Sequence, residues 1–431
     1  MRNPINEQPG AAVSARDLLK IRNFRLLWGG QIISNFGDAV TQLTLVLYIN
    51  RLTGGDTQSI AWLLIALALP MATLGLVAGV FVDRWNRQRT MIISDLLRGI
   101  LTLGFVAAAV WEQLWLIYVL AFLHATISSF FSPARGAVIP LVVPKEGLLA
   151  ANSLSQTTLV FIRVLGTAVA GFLVGTLHTF TPAFLIDAAT FFISALFIVR
   201  LILPETKVEE STAKTTVNTK LILAELSEGI KLIAASRILI GVMAAISITM
   251  LGLGAVNVLL APMLVNEMGL PETWFGGLEL AQTLGMILSG ATITALAARF
   301  KPTSLISTSL IALGVILGFF AAINNIWQMF PALFIIGLTT PPVNAGISTI
   351  LQTGVENQIL GRVTGALHAV IQTSNLLSMF LAGVVAAAVG TRNVFLISGV
   401  IVVIAGLASA QIFRGYQLAQ PFAAARQSTS D

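Results

Sequence analysis

Twelve stretches of this chain are each apolar over close to, or more than, the ~20 residues needed to cross the hydrocarbon core of a bilayer. They run over roughly 24–49, 59–82, 90–110, 114–133, 152–177, 182–202, 238–265, 274–297, 303–323, 327–352, 363–389 and 393–413. In lipid each such span has to satisfy its own backbone polar groups, so an all-α membrane protein of twelve transmembrane helices is expected. The balance of residues agrees. Only 10% of the chain is charged and 56% is hydrophobic, whereas a soluble domain carries about 25% charged residues. There is too little polar side chain to solvate the surface of a chain this long.

The net charge of +6 invites a nucleic-acid reading, but its placement excludes one. With the N-terminus inside, all but four of the 25 Lys and Arg fall on inside segments. Arg51 and Arg392 fall outside, and Arg98 and Arg163 fall within spans. This bias is the positive-inside pattern; reversing the orientation or miscounting the spans by one would destroy it. Both termini are therefore expected in the cytoplasm. The first 22 residues lack the apolar core and cleavage site of a secretory signal, so the first apolar stretch reads as the first membrane helix. The chain has no cysteine, which removes disulfides and thiolate metal sites. His124, His178 and His368 are too far apart in sequence for a metal-ligand spacing, and no metal or cofactor is expected.

The spans divide six and six. The expected layout is a cytoplasmic tail at 1–23, a six-helix bundle at 24–202, a cytoplasmic linker at 203–237, a second bundle at 238–413 and a tail at 414–431. The first part of the linker, around Lys214–Lys220, is rich in Ser, Thr, Asn and Lys and reads as flexible. Its second part, Leu221–Ser236, sets Leu223, Leu226, Ile230 and Ile233 against Glu225, Glu228 and Lys231, as in a helix lying on the membrane face. The halves also echo each other: a basic turn follows the second span (Arg84, Arg87, Arg89) and the eighth (Arg299, Lys301), the trace a duplication would leave.

The turn after span two carries a motif. Gly79, Asp83, Arg84 and Arg87 resemble the signature loop of the major facilitator superfamily, roughly G-x-L-A-D-R-x-G-R-K, with Phe81 in place of Leu, Val82 of Ala, Asn86 of the second Gly and Gln88 of the last base. Asn tolerates left-handed backbone angles and can stand where the family has glycine. Further stretches resemble one branch of that family, the drug and siderophore exporters that include macrolide-efflux and enterobactin-exporter proteins. They are Asn23–Trp28, Ser34–Asp38, Ser94–Arg98, Ser132–Arg135, Ala151–Asn152 and Gly361–Val363. The resemblance implies two pseudo-symmetric six-helix bundles around a central cavity. It also implies that Asp83 meets the N-terminus of span eleven at Gly361 and Arg362, where the helix dipole favours a carboxylate. That contact would act as a cytoplasmic latch, while Arg84, Arg87 and Arg89 anchor the loop in the cytoplasm. Span five departs from the exporter pattern, having Gly166 and Gly171 without the proline and one further glycine. Small residues there still permit close helix approach.

An ionisable side chain at mid-bilayer costs at least ~2.5 kcal/mol to insert, so each is a candidate for function. Asp38 in span one is placed to bind and release a proton during a transport cycle. Arg163 in span five is expected to pair with Asp38 or to meet an anionic substrate. Asp187 and Glu279 lie towards the outer side, where they can face water; His368 in span eleven reads as a packing histidine or a proton relay. Asp95 and Arg98, three apart on span three, read as a structural pair near the cytoplasmic surface. Polar residues such as Gln31, Gln282 and Asn375 serve equally as cavity lining or as interhelical glue.

The chain lacks a G-x-x-x-x-G-K-[ST] loop, which argues against ATP as the direct energy source, and it shows no nucleophile–base or metal constellation, so it does not read as an enzyme. The expectation is a secondary transporter in a bacterial-type inner membrane. It would act as a monomer, couple to protons, contact membrane lipid and export small organic molecules such as drugs, macrolides or siderophores. An uptake carrier or a lysophospholipid flippase of the same fold is the alternative, since the fold alone does not set direction.

Overall fold

A computed structural model describes residues 15–203, 237–355 and 357–413. The expected surface helix at 221–236, most of the linker and both tails lie outside the described residues. After a short helical turn at Ala15–Leu18, the described residues form twelve long helices: α1 (Arg22–Leu52), α2 (Thr57–Arg84), α3 (Arg87–Val110), α4 (Leu114–Val142), α5 (Leu148–Leu177), α6 (Thr181–Val199), α7 (Arg237–Ala261), α8 (Trp274–Arg299), α9 (Pro302–Phe320), α10 (Ile326–Gly354), α11 (Asn357–Val389) and α12 (Thr391–Ile412). Among the described residues, eleven helices are long and apolar enough to cross a membrane.

One boundary differs clearly from expectation. Span four was expected to stop at Pro133, yet α4 continues through Pro133 and Pro140 to Val142. α10 likewise contains Pro331, Pro341 and Pro342. Proline removes one helix hydrogen bond, but within a packed membrane bundle neighbouring groups satisfy the freed carbonyl and the helix carries on.

The chain divides into two compact units, Met1–Leu52 with Ala66–Val217 and Thr53–Ile65 with Asn218–Asp431. In the first, α6 packs on α1 and on α3, α5 packs on α1, and α4 packs on α3. In the second, α12 packs on α7 and on α9, α11 packs on α7, and α10 packs on α9. Adding six to each of these helix numbers converts one set into the other, a stronger sign of duplication than the basic turns in the sequence, and the second unit adds α8 packed on α10. The start of α2 belongs to the second unit: Thr57 Oγ1 donates to the Gly383 carbonyl of α11 at 2.9 Å, and Trp62 meets Phe380 edge-on at 5.6 Å.

Small residues bring the helices together. A Cβ added at Gly166 of α5 would lie 2.6 Å from Ala39 Cβ and 3.0 Å from the Phe36 carbonyl oxygen of α1, so the small residues noted in span five do serve close approach. On α12, Ile397, Val400, Ile401, Ile404 and Leu407 form an exposed apolar stripe. In water such a stripe would invite aggregation; in a bilayer it is the lipid-facing surface.

The motif loop is locally well determined. Asn86 does not adopt the left-handed angles foreseen for it. It sits at φ −66°, ψ 109° as the N-cap of α3, its Oδ1 accepting from Arg89 N at 3.0 Å. The chain needs a cap there rather than a reversed turn. Gln88, in place of the family's base, donates through Nε2 to the carbonyls of Ile198 at 2.8 Å and Leu201 at 3.0 Å. It thereby satisfies carbonyls at the C-terminal end of α6. Asn86→Ala is expected to cost ~1 kcal/mol, the usual loss of a helix N-cap, read as a lower midpoint in thermal unfolding of the purified protein. An unchanged midpoint would mean that the cap adds nothing.

Candidate functional site

Ionisable side chains from four helices of the first unit converge in its interior. The sequence sets this up by helical spacing, since residues three, four and seven apart share a face. On α3, Asp95, Arg98 and Thr102 share one face; on α6, Asp187, Thr190, Phe191 and Ser194 do the same; on α1, Gly37, Asp38 and Thr41 lie together. Those faces meet where α1, α3 and α6 pack, and α4 adds His124 and Phe131.

Arg98 is the hub. Its Nη2 donates to Asp95 Oδ1 and its Nη1 to Asp38 Oδ2 at 3.4 Å. The guanidinium lies between two rings, with Cζ 4.6 Å from the Phe131 centroid and 4.4 Å from that of Phe191. A planar delocalised cation suits this slot, because it can stack on aromatic faces while its edge serves two carboxylates. His124 Nε2 lies 3.9 Å from Asp38 Oδ1, beyond a hydrogen bond but close enough for charge to act. The imidazole meets Phe191 edge-on at 5.4 Å. Asp187 accepts from Thr102 Oγ1 at 3.4 Å, and Thr190 Oγ1, which donates to the Asp187 carbonyl at 2.7 Å, lies 3.3 Å from its Oδ1.

Accessibility separates the members. Asp95 and Asp187 are 0% exposed and Arg98 is 3% exposed, whereas the Asp38 side chain is 36% exposed. Asp38 is therefore the carboxylate through which solvent or a ligand can reach the cluster. Three carboxylates face one guanidinium. Full ionisation would leave surplus negative charge in a poorly solvated interior, which is costly.

Several expectations change. Arg163 does not hold Asp38: it is exposed on α5, and Arg98 makes the ion pair. The sequence shows both arginines as intramembrane cations, and only the packing of α6 against both α1 and α3 chooses between them. Asp95 and Arg98 do pair, but deep in the unit and jointly with Asp38. Asp187, expected to face water, is wholly buried against α1 and α3. His368 is exposed on α11 and Glu279 is half-buried on α8; neither joins the cluster. Of the gating residues, Arg84 is exposed and Arg87 half-buried. The contacts of Gly79, Asp83, Gly361 and Arg362 lie outside the described residues. His124 was weighed only as a metal ligand; its signal was a lone histidine in the middle of an apolar span.

Twelve apolar helices in duplicated halves, with a buried charge cluster inside one of them, define a polytopic membrane transporter. The chain belongs to the Major Facilitator Superfamily, whose family model matches residues 27–300 and 242–428. It is similar to macrolide efflux protein A of Streptococcus pyogenes, with 23% identity over 88% of this chain and 93% of that one. It is also similar to the multidrug efflux pump Tap of Mycobacterium tuberculosis (strain CDC 1551 / Oshkosh), with 24% identity over 80% and 83%. Among solved structures a point mutant of the nucleoside transporter NupG shares the fold, with a TM-score of 0.74 at 16% identity over 90% of this chain and 99% of that one.

Proposed function

We propose that the chain is a proton-coupled exporter of small organic molecules, with drugs, macrolides or siderophores as the substrate class. It would work by alternating access in the bacterial cytoplasmic membrane, as a monomer with both termini inside. The efflux activities named for its relatives support the direction and the substrate class. The single observation that carries the coupling is the position of Asp38: a partly accessible carboxylate on Arg98, beside His124 and in a cluster with two fully buried carboxylates. A proton taken up by such a cluster offsets its surplus negative charge, and its release frees Arg98 to hold Asp38 again. A group that trades a proton for an ion pair in this way has two states of different geometry, which a transport cycle can exploit.

The test is accumulation of fluorescent dyes, macrolides and catecholate siderophores in efflux-deficient cells, with and without a protonophore. The native chain is expected to lower accumulation of at least one compound, and the protonophore to abolish that effect. Asp38→Asn keeps the shape and an acceptor for Arg98 but cannot carry a proton, so it should not transport even when expressed at the native level. Efflux by Asp38→Asn at the native rate would exclude coupling through this residue, and increased accumulation would reverse the direction.

A further inference from the structure

A second feature of the first unit lies away from the charge cluster. A narrow cleft with about 40 Å³ of room opens between the first turns of α1, the last turns of α4 and the early part of α5. Three N–H donors there have no hydrogen-bond partner among the described residues: Trp28 Nε1, Gln31 Nε2 and Arg135 Nε. Gln31 is 8% exposed. Arg135 Nη1 donates to Gln31 Oε1 at 3.2 Å. That bond fixes the amide with its oxygen towards the guanidinium, so Gln31 can offer the cleft only its NH₂ group. Among the described residues that line the cleft there is no Asp or Glu, and Leu27, Ile139, Leu159 and Ile162 supply apolar wall.

Each buried donor left unpaired carries a desolvation penalty that an acceptor would relieve. Three such donors, one of them the guanidinium's own Nε, with nothing anionic in the described cleft wall to answer them, have the chemistry of an oxyanion receptor. We propose that this cleft takes only the oxyanion head of an amphipathic molecule, a carboxylate or phosphate on Trp28, Gln31 and Arg135, while its apolar body leaves the narrow mouth along Leu159 and Ile162. The inference depends neither on proton coupling nor on transport direction. Two sources share the chemistry, a free organic anion and the headgroup of an anionic lipid.

The experiment titrates purified full-length protein in neutral detergent with 4-butylbenzoate, with its uncharged methyl ester and with dihexanoyl phosphatidic acid. Binding is read from saturable shifts in thermal unfolding. At least one anion should bind saturably, and the ester should bind tenfold or more weakly. Arg135→Gln should weaken the anion by ~10-fold or more, the loss of a charge-assisted hydrogen bond. Gln31→Leu, which leaves the charge in place, should weaken it by a smaller factor and serves alone if Arg135→Gln fails to fold. Binding of the benzoate alone identifies a soluble anion, and binding of the phosphatidic acid alone a lipid headgroup; both uphold the proposal. It is overturned if neither anion binds more tightly than the ester, or if whichever variants fold bind the anion as the native chain does. Asp38→Asn protein should bind the anion normally, so failure of the proton-coupled reading leaves this result standing.

Discussion

Replacing Arg98 with leucine is expected to destabilise the purified protein by about 3–5 kcal/mol, the usual cost of removing one partner of a buried ion pair. Asp95 is wholly buried and its Oδ1 is held by Arg98. Without the guanidinium it is a carboxylate with no counter-ion beside it, and Asp38 and Asp187 add to the uncompensated charge. The two aromatic contacts, at 4.6 Å and 4.4 Å, are lost as well, each worth about 0.5–2 kcal/mol when the cation is desolvated. Lysine should rescue poorly, because one ammonium lacks the planar fork that reaches Asp95 and Asp38 together. The double variant Asp95→Asn with Arg98→Leu should recover much of the loss, since it removes the orphaned charge along with its partner. Thermal unfolding in detergent measures all three. A native midpoint for Arg98→Leu would mean that the pair contributes nothing to stability and that the cluster is held by packing alone.

Gly37→Val should be the most disruptive single change on α1. A Cβ at this position would lie 2.1 Å from Thr190 Oγ1, 2.2 Å from Asp187 Oδ1 and 3.0 Å from Asp187 Cα. The hydroxyl can rotate aside, but the backbone of α6 cannot. The helices would have to separate, and overpacking of that kind costs roughly 1–3 kcal/mol. Separation would also draw Asp38 of α1 away from the face of α6 that carries Asp187, so transport should fall even in protein that reaches the membrane. Gly136 of α4 supplies the control with the opposite sign: a Cβ there meets nothing within 4 Å. Gly136→Ala should therefore be neutral or stabilising by up to ~1 kcal/mol, the helix-propensity gain of alanine over glycine. The comparison is read from thermal midpoints and from the yield of monodisperse protein. Equal behaviour of the two variants would refute the claim that Gly37 is required for close approach.

Much of the architecture was legible before any coordinates. Twelve apolar spans, the placement of Lys and Arg, and the motif from Gly79 to Arg87 pointed to a helical membrane protein of this superfamily, because lipid leaves a long apolar segment almost no alternative to a helix. Span ends were less legible. Pro133 reads as a stop in a soluble helix, and only a packed neighbourhood explains why α4 passes through it. Asn86 was read as a stand-in for glycine, yet the loop used its side chain as a cap.

The charge cluster shows where the information divides. Sequence alone marked Asp38, Asp95, Arg98, Asp187 and Arg163 as ionisable groups in apolar surroundings, a judgement that needs only composition and position along a span. It paired Asp95 with Arg98 by their spacing on one helix, but it could not say which groups meet across helices. Arg98 and Arg163 look alike in that respect. The face each helix turns to its neighbours depends on close approaches such as Gly37 on Asp187 and Gly166 on Ala39, set by residues more than a hundred positions apart. The chain determined by itself that it would be helical, membrane-spanning and duplicated, because those properties follow from the local cost of exposing polar backbone or charge to lipid. Tertiary packing decided that Arg98, already paired with Asp95 on its own helix, also takes Asp38 while Arg163 stays exposed, because pairing across helices depends on the distance between them, which no local pattern encodes.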